Sequence, residues 1–220
     1  SGAVAAGDGP VSVTVDPSGK YAYAANLNSN DVSAYRIDAS TGALTAAGAA
    51  AAGSGPFSVT VDPSGKFAYA ANMNSNDVSA FTINASTGAL TSLSPVRTRS
   101  GPFSLAMTRG TSPVAYKPKF VFVANYTSSN VSAYSINAGT GVLTSVGAAA
   151  TAGTNPFSVV VDPSGKFAYV VNDGSNDVSA FTIHPVTGVL SSVGAAVTAA
   201  ANPFATAVDP TQNQQGIIVG

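Results

Sequence analysis

Three of the four arginines in the chain could bind an anionic ligand. Arg97, Arg99 and Arg109 lie close together in the sequence, and Arg36 is the fourth. A guanidinium group offers several donors in a fixed plane, which suits a carboxylate or a phosphate. Arg97 and Arg99 therefore form a candidate anion-binding pair. The alternative is that both lie in a solvated loop.

Asparagines recur in polar turns and form a second candidate site. Their amides could hydrogen-bond a glycan or a peptide, although asparagine also tolerates the left-handed backbone of a turn. With Asp31 and Asp77 beside them, these loops offer oxygen ligands to calcium, but they have few formal charges and the chain has no glutamate. We therefore predict no metal site. The candidate binding residues are Asn28, Asn30, Asn74, Asn76, Asn130 and Asn176.

The residue types needed for covalent or acid–base catalysis are scarce. The chain has no cysteine, so disulfides and thiolate metal sites are excluded, and all ten acidic residues are aspartates. The one histidine, His184, stands where the other copies of a repeat carry Asp38, Asn84 and Asn137, which predicts a turn residue and not a general base. The sequence thus indicates no catalytic residue and no cofactor.

A repeat of about 46 residues organises these side chains. Prolines open successive units in steps of 46, 46, 54 and 47 residues. In the second unit, residues 57–61, 67–71, 78–83 and 89–93 read as short strands separated by turn sequences, of which DPSG at 62–65 is the clearest. The opening prolines are Pro10, Pro56, Pro102, Pro156 and Pro203.

Four short antiparallel strands per unit predict an all-β fold, a β-propeller with four complete blades and a partial fifth. We expect one domain over residues 1–220. Aromatic residues on the second and third strands should pack between blades: Tyr23, Tyr69, Phe122, Tyr169, Tyr35, Phe81, Tyr134 and Phe181. The inner strands should start near Val11, Phe57, Phe103, Phe157 and Phe204.

In such a propeller the turns between second and third strands share one rim with the inter-blade loops. The asparagines should ring this rim together with Arg97 and Arg99, whereas Arg109 should lie on the opposite one. The third unit also carries about eight extra residues, 111–118, and such breaks in a repeat often carry function. Seven aspartates occupy repeat positions where side chains cap turns, accepting from a backbone N–H two residues on: Asp16, Asp62, Asp162, Asp209, Asp31, Asp77 and Asp177.

Two stretches carry a resemblance to a known family. With DPSGKFAYAAN at 62–72 and NDVSAFTI at 76–83, the chain resembles bacterial propellers of the YVTN and lactonase families. The resemblance implies a seven-bladed propeller and, in the lactonase branch, 6-phosphogluconolactonase-like or muconate-lactonising activity. It would also imply His, Arg and Glu around the central channel. Because the chain lacks glutamate and His184 is placed in a turn, no catalytic residue is carried over.

We therefore predict an exported structural or binding module, extracellular or periplasmic, and keep a lactonase-like hydrolase as the alternative. Charged residues make up 9% of the chain and the net charge is −1, which argues against nucleic acid as a partner. No apolar run is long enough to span a membrane, so we expect no membrane insertion. The chain begins with Ser1, from which we expect a mature or excised form. An unfinished fifth blade predicts a homo-oligomer or further blades, because open strand edges tend to pair.

Overall fold

The computed structural model describes residues 4–108, 119–208 and 217–219 of the chain. It confirms the all-β propeller architecture: four antiparallel sheets follow one another, each with its strands in sequence order from the inner to the outer edge. Blade 1 contains β1 (Pro10–Val15), β2 (Tyr21–Asn26), β3 (Asp31–Ile37) and β4 (Leu44–Ala51).

The next three blades repeat this plan. Blade 2 contains β5 (Pro56–Val61), β6 (Phe67–Asn72), β7 (Asp77–Ile83), β8 (Leu90–Ser92) and β9 (Val96–Arg97). Blade 3 contains β10 (Pro102–Met107), β11 (Phe120–Asn125), β12 (Asn130–Ile136), β13 (Leu143–Ser145) and β14 (Ala150–Thr151). Blade 4 contains β15 (Pro156–Val161), β16 (Phe167–Asn172), β17 (Asp177–Ile183), β18 (Leu190–Ser192) and β19 (Val197–Thr198).

The outer strand differs from the predicted one. In blades 2 to 4 it is split into two short pieces that both pair with the third strand, so β8 and β9 both pair with β7. In blade 1 it is a single strand with a bulge opposite Ala34 and Tyr35. Arg97 therefore lies at the end of β9 and not in a loop. β20 (Thr206–Val208) and β21 (Ile217–Val219) form a separate two-stranded sheet, the partial fifth blade.

Aspartate side chains shape the first hairpin of blades 1, 2 and 4, and Thr108 takes the equivalent place in blade 3. Asp62 accepts hydrogen bonds from the backbone N–H groups of Ser64, Lys66 and Phe67 at 3.0, 2.9 and 2.8 Å. Asp16 and Asp162 do the same in blades 1 and 4, which confirms their predicted role in turns. Asp209, together with Arg109 and residues 111–118, lies outside the described residues.

Neighbouring blades are joined by the predicted aromatic residues. Tyr23, Tyr69 and Phe122 are fully buried, and Tyr169 is half-buried. The hydroxyl of Tyr23 donates to the carbonyl of Gly88 in the next blade at 3.0 Å, and Tyr69 donates to Gly141 at the same distance. On the third strands, Tyr35, Phe81, Tyr134 and Phe181 are buried as well.

One face of blade 1 is more exposed than the equivalent faces of the other blades. Val59 of blade 2 packs against Tyr23 of the preceding blade and is only 4% exposed. Val13, its equivalent in blade 1, is 70% exposed. The first blade thus exposes an apolar inner-strand surface, whereas the equivalent surface of each later blade is buried against the blade before it.

Candidate functional site

The rim that carries the inter-blade loops is held by backbone hydrogen bonds. The N–H of Met73, just after β6, donates to the carbonyl of Gly55 at 2.8 Å. Tyr126 donates in the same way to Gly101 at 2.7 Å, and Asp173 to Asn155 at 3.0 Å. The turns after the second strands and the inter-blade loops therefore share one rim, as predicted.

Phenylalanine rings from neighbouring inner strands meet at this rim. Phe57 and Phe103 lie with their ring centroids 4.3 Å apart, and the centroids of Phe103 and Phe157 are 5.3 Å apart. Phe204 approaches Phe157 at 5.3 Å and remains half exposed. Because inner strands of adjacent blades lie side by side around the propeller axis, these rings pack together at the end of the channel where the inner strands begin. We call this group the aromatic mouth.

Two polar side chains join the aromatic mouth. The ring of Tyr126 stacks on Phe103 with centroids 4.7 Å apart, and its hydroxyl donates to Oδ2 of Asp173 at 3.3 Å. Burial raises the pKa of Tyr126, and the neighbouring Asp173 carboxylate raises it further. Tyr126 thus stays protonated at neutral pH, as a hydrogen-bond donor beside a carboxylate.

The sequence interpretation missed this site. The phenylalanines served only as markers of strand starts, and Tyr126 and Asp173 break the repeat at a single position that carries Leu27 and Met73 in the other blades. The signal was present, since side chains that differ between copies at the end of a strand are a sign of function in a repeat protein.

Several of the predicted asparagines hold the rim together. Asn30 and Asn76 have left-handed backbone, and their Oδ1 atoms accept from the N–H groups of Gly55 and Gly101 in the following blade, both at 2.8 Å. Asn176 does the same toward Asn202. Asn130 accepts from a buried asparagine of its own blade. Asn28 and Asn74 are exposed on this rim. A ligand role for these amides stays a prediction.

The second-hairpin aspartates have a different partner from the one predicted. Asp77 accepts from the side-chain Nδ2 of Asn72 at 2.6 Å, and Asp177 accepts from Asn172 at the same distance. Asp31 accepts likewise from Asn26, at 2.5 Å. These carboxylates satisfy a buried amide five residues earlier, because the two residues face each other at the ends of paired strands.

Arg97 and Arg99 are both exposed and border a small groove of about 210 Å³ between the outer parts of blades 2 and 3. The groove is floored by Ser132 and Tyr134, and the hydroxyl of Tyr134 donates to the backbone carbonyl of Arg97 at 2.9 Å. The structure therefore separates this pair from the aromatic mouth. Anion binding in the groove stays a prediction.

His184 occupies the turn that the sequence predicts for it. Its Nδ1 accepts from the N–H groups of Val186 and Thr187 at 3.3 and 3.2 Å. Asn84 binds the same two positions of its own turn through Oδ1. His184 thus replaces a turn-capping oxygen with a ring nitrogen.

The opposite end of the channel widens into a cavity of about 710 Å³. Its walls are mainly apolar or hydroxyl-bearing, with Val61, Met107 and Val161 among them. Among the lining residues that the structure describes, Asp162 is the one acidic side chain, and it is buried and hydrogen-bonded to its own turn. The cavity can accommodate a small molecule, and its described walls supply little acid–base chemistry.

Among the described residues, no group of three or more histidine and aspartate side chains is placed to hold a metal ion. The part of the chain that the structure describes also contains no helix long and apolar enough to cross a membrane.

Comparisons with known proteins identify the fold and the family of the chain. No curated protein matches its sequence. Among solved structures, a putative 6-phosphogluconolactonase from Bacteroides fragilis superposes with a TM-score of 0.75 at 25% identity, over 89% of this chain and 56% of that one. A periplasmic gluconolactonase from Pseudomonas aeruginosa gives 0.73 at 23%, over 95% and 56%.

Not every similar structure carries a lactonase name. Hydrazine synthase from Kuenenia stuttgartiensis superposes with a TM-score of 0.72 at 21% identity, over 96% of this chain and 55% of that one. At such identities the likeness shows the fold alone, and the chain spans little more than half the length of these structures. The sequence itself matches the family described as lactonase, seven-bladed β-propeller, over residues 7–206. The chain therefore belongs to the lactonase family of β-propellers.

Proposed function

We propose that the protein binds a sugar lactone at the aromatic mouth and hydrolyses it, with Asp173 as the general base. One observation carries the proposal: the polar pair of Tyr126 and Asp173 stands among phenylalanine rings at the channel mouth of a lactonase-family propeller. The family match favours this activity over the non-catalytic module that the sequence first indicated.

The aromatic mouth has the chemistry that a sugar-type ring requires. The C–H faces of such a ring are apolar and can pack on the rings of Phe103 and Phe157, while its hydroxyl groups need acceptors. The Asp173 carboxylate can accept from those hydroxyls, and the Tyr126 oxygen, whose own proton is donated to Asp173, can accept from another. A flat, partly polar ligand therefore suits this site better than an extended apolar one.

Hydrolysis of the lactone has two stages, the attack of water and the opening of the ring, and each stage needs one proton transfer. Asp173 accepts a proton from a water molecule as the water oxygen forms a bond to the lactone carbonyl carbon. The bond between that carbon and the ring oxygen then breaks, and Asp173 returns the proton to the departing oxygen. The products are a free carboxylic acid and a hydroxyl group on the same molecule.

The second candidate is a binding module that recognises the ring without cleaving it. The placement of Arg97 and Arg99 in the outer groove favours this candidate, because neither guanidinium stands at the aromatic mouth to stabilise the developing oxyanion. The two candidates share a binding site and differ in turnover.

An assay with D-glucono-1,5-lactone distinguishes them. Acid release is followed with a pH indicator after subtraction of spontaneous hydrolysis, and binding of 1,5-anhydro-D-glucitol, which keeps the sugar ring and has no lactone carbonyl, is measured by calorimetry. We expect Asp173→Asn to lower kcat by about 10²- to 10⁴-fold while the anhydroglucitol still binds. Phe103→Leu should weaken anhydroglucitol binding. The matched control is Asp8→Asn, which removes an exposed carboxylate of blade 1.

Each outcome of this assay decides between the candidates. Turnover that survives Asp173→Asn would overturn the role of Asp173. Binding of 1,5-anhydro-D-glucitol that depends on Phe103, without lactone turnover above background, would favour the binding module. If the protein shows no turnover and no binding, both candidates are overturned.

We also propose that a further blade, either from a second copy of the chain or from additional sequence of the same protein, covers the exposed face of blade 1. What supports it is that Val13 is 70% exposed, whereas the equivalent Val159 is 3% exposed because a preceding blade covers it. A blade of another copy has the shape and apolar character that this face accepts within the chain. Export to the periplasm or the exterior stays a proposal from composition.

A further inference from the structure

A buried asparagine ends the second strand of each of the four complete blades. Asn26, Asn72, Asn125 and Asn172 are all fully buried. In blade 2 the Nδ2 of Asn72 donates to Asp77 at 2.6 Å and to Ser79 at 2.8 Å. Because a carboxylate only accepts, this contact fixes the amide with its nitrogen toward the aspartate and its Oδ1 on the other side.

The partner of that Oδ1 differs between blades. In blade 3, Asn125 Oδ1 accepts a hydrogen bond from the hydroxyl of Thr98 at 2.7 Å. In blades 1, 2 and 4, the Oδ1 atoms of Asn26, Asn72 and Asn172 are buried and have no hydrogen-bond partner among the described residues. An unpaired buried acceptor is unfavourable, so the same defect in three blades calls for a common explanation.

The loop position of Thr98 carries alanine in blades 2 and 4. The backbone N–H of Thr98 donates to the carbonyl of Asn76 at 3.0 Å, and Ala52 and Ala152 donate to the equivalent carbonyls of the preceding blades at 2.9 and 3.1 Å. Ala6 has the equivalent place in the sequence before blade 1. Blade 3 therefore has a hydroxyl where the other blades have only a methyl group.

A serine supplies the second partner at this position. Ser79 Oγ accepts from Asn72 Nδ2 and, at 3.0 Å, from the N–H of Gly53, so its own proton remains to be donated. In blade 3, Ser132 Oγ lies 3.2 Å from Thr98 Oγ1. Because the single proton of Thr98 is used on Asn125, the Ser132 hydroxyl is the donor in this pair. The Thr98 hydroxyl thus donates one hydrogen bond and accepts another.

A water molecule can make the same two bonds. We propose that one buried water occupies the position of the Thr98 hydroxyl in each of blades 1, 2 and 4, donating to the asparagine Oδ1 and accepting from the serine. By equivalence with blade 3, the water takes the space of the side-chain atoms that threonine adds to alanine, and the site offers it at least two polar partners, which is what a buried water requires. Ser33, Ser79 and Ser179 are the accompanying serines, and all three are buried.

The proposal is independent of lactone chemistry, since its test measures stability. Ala52→Thr should replace the water of blade 2 by a hydroxyl and leave the melting temperature equal to or above that of the wild type. Ala52→Val has the same shape without the hydroxyl, so it should displace the water, leave Asn72 Oδ1 unpaired and lower the melting temperature by about 2–12 °C. In blade 3, Thr98→Val should lower the melting temperature by a similar amount. Thr98→Ser keeps the hydroxyl, so its melting temperature should stay close to that of the wild type.

Three results would overturn the proposal. Equal losses in Ala52→Thr and Ala52→Val would mean that no space exists beside Asn72. An Ala52→Val variant as stable as the wild type would mean that the amide loses no partner. A high-resolution crystal structure of the wild type without density beside the three Oδ1 atoms would contradict it directly, whereas density in blades 1, 2 and 4 and none in blade 3 would support it.

Discussion

Replacing Gly141 by alanine should destabilise the protein far more than the same change at Gly42. The two glycines occupy equivalent turns, with φ of +76° and +71°. Their N–H groups close the same turn, donating to Asn137 at 2.7 Å and to Asp38 at 2.8 Å. What differs is the surroundings, because Gly141 lies against the ring of Phe67 in the preceding blade and Gly42 is exposed.

The structure gives the size of the clash. A Cβ added at Gly141 would lie 2.5 Å from Cε1 and 2.8 Å from Cγ of Phe67, whereas a Cβ at Gly42 would meet nothing within 4 Å among the described residues. Carbon atoms pack comfortably at about 3.5–4.0 Å, so the ring or the turn must move by about 1 Å. Such overpacking costs about 1–3 kcal/mol.

Comparing Gly141→Ala with Gly42→Ala isolates the free-energy cost of the clash with Phe67. Backbone strain of alanine at positive φ costs about 1–2 kcal/mol, and a stiffer unfolded chain offsets about 0.4–1 kcal/mol, but both effects are common to the two variants. The remaining difference of about 1–3 kcal/mol corresponds to about 2–12 °C in melting temperature. Urea denaturation followed by far-ultraviolet circular dichroism measures both variants.

A double-mutant cycle identifies the clashing partner. Phe67→Leu removes the ring atoms nearest to the added Cβ, so it should cost less in the Gly141→Ala background than in the wild type, with a coupling of at least about 0.5 kcal/mol. Equal destabilisation by Gly42→Ala and Gly141→Ala, or a cycle without coupling, would refute the inference that the glycine turn locks onto the neighbouring blade.

Three further predictions concern pH, metal and assembly. Burial raises the pKa of Asp16, but hydrogen bonds from Ser18 and from the backbone of Tyr21 outweigh it and hold the pKa below its ordinary value. This carboxylate therefore stabilises the fold above about pH 4 and loses that contribution as the pH falls through the folded pKa. In Asp16→Asn, the free energy of unfolding should fall less steeply as the pH is lowered, and a pH profile equal to that of the wild type would contradict this. A chelator should leave the melting temperature unchanged, and a drop of several degrees would show that a bound cation stabilises the asparagine-rich loops. Light scattering should show a mass that rises with concentration and falls on Val13→Lys, whereas a monomer at every concentration would argue against self-association.

The blades were predictable from the sequence because each local signal agreed with the others. Alternating strands such as 57–61 and the turn sequence at Asp62 recur in register, so strand order and rim assignment followed from one unit. The split outer strand did not follow, because β9 is a pair of residues whose pairing depends on the loop that crosses the rim.

The candidate site was less predictable because it forms from residues far apart in sequence. Alternation assigns Phe57 and Phe103 to one face of their strands, but only the curvature of the whole assembly brings their rings to 4.3 Å. The partner of Asp77 was missed for a related reason. A turn rule considers residues two or three positions away, whereas Asn72 reaches the carboxylate across a strand pair.

The rim combines a constant backbone with one variable side chain. Directly after the buried asparagine of each blade, the backbone N–H donates to an inter-blade loop carbonyl at 2.7–3.0 Å in all four copies. The side chain at that position is Leu27, Met73, Tyr126 or Asp173. Buried polar contacts on either side fix the backbone whichever side chain is present, so substitutions at this position leave blade packing largely intact. A repeat scaffold of this kind can therefore place different chemistry at the channel mouth from blade to blade, and the Tyr126–Asp173 pair is where this chain does so.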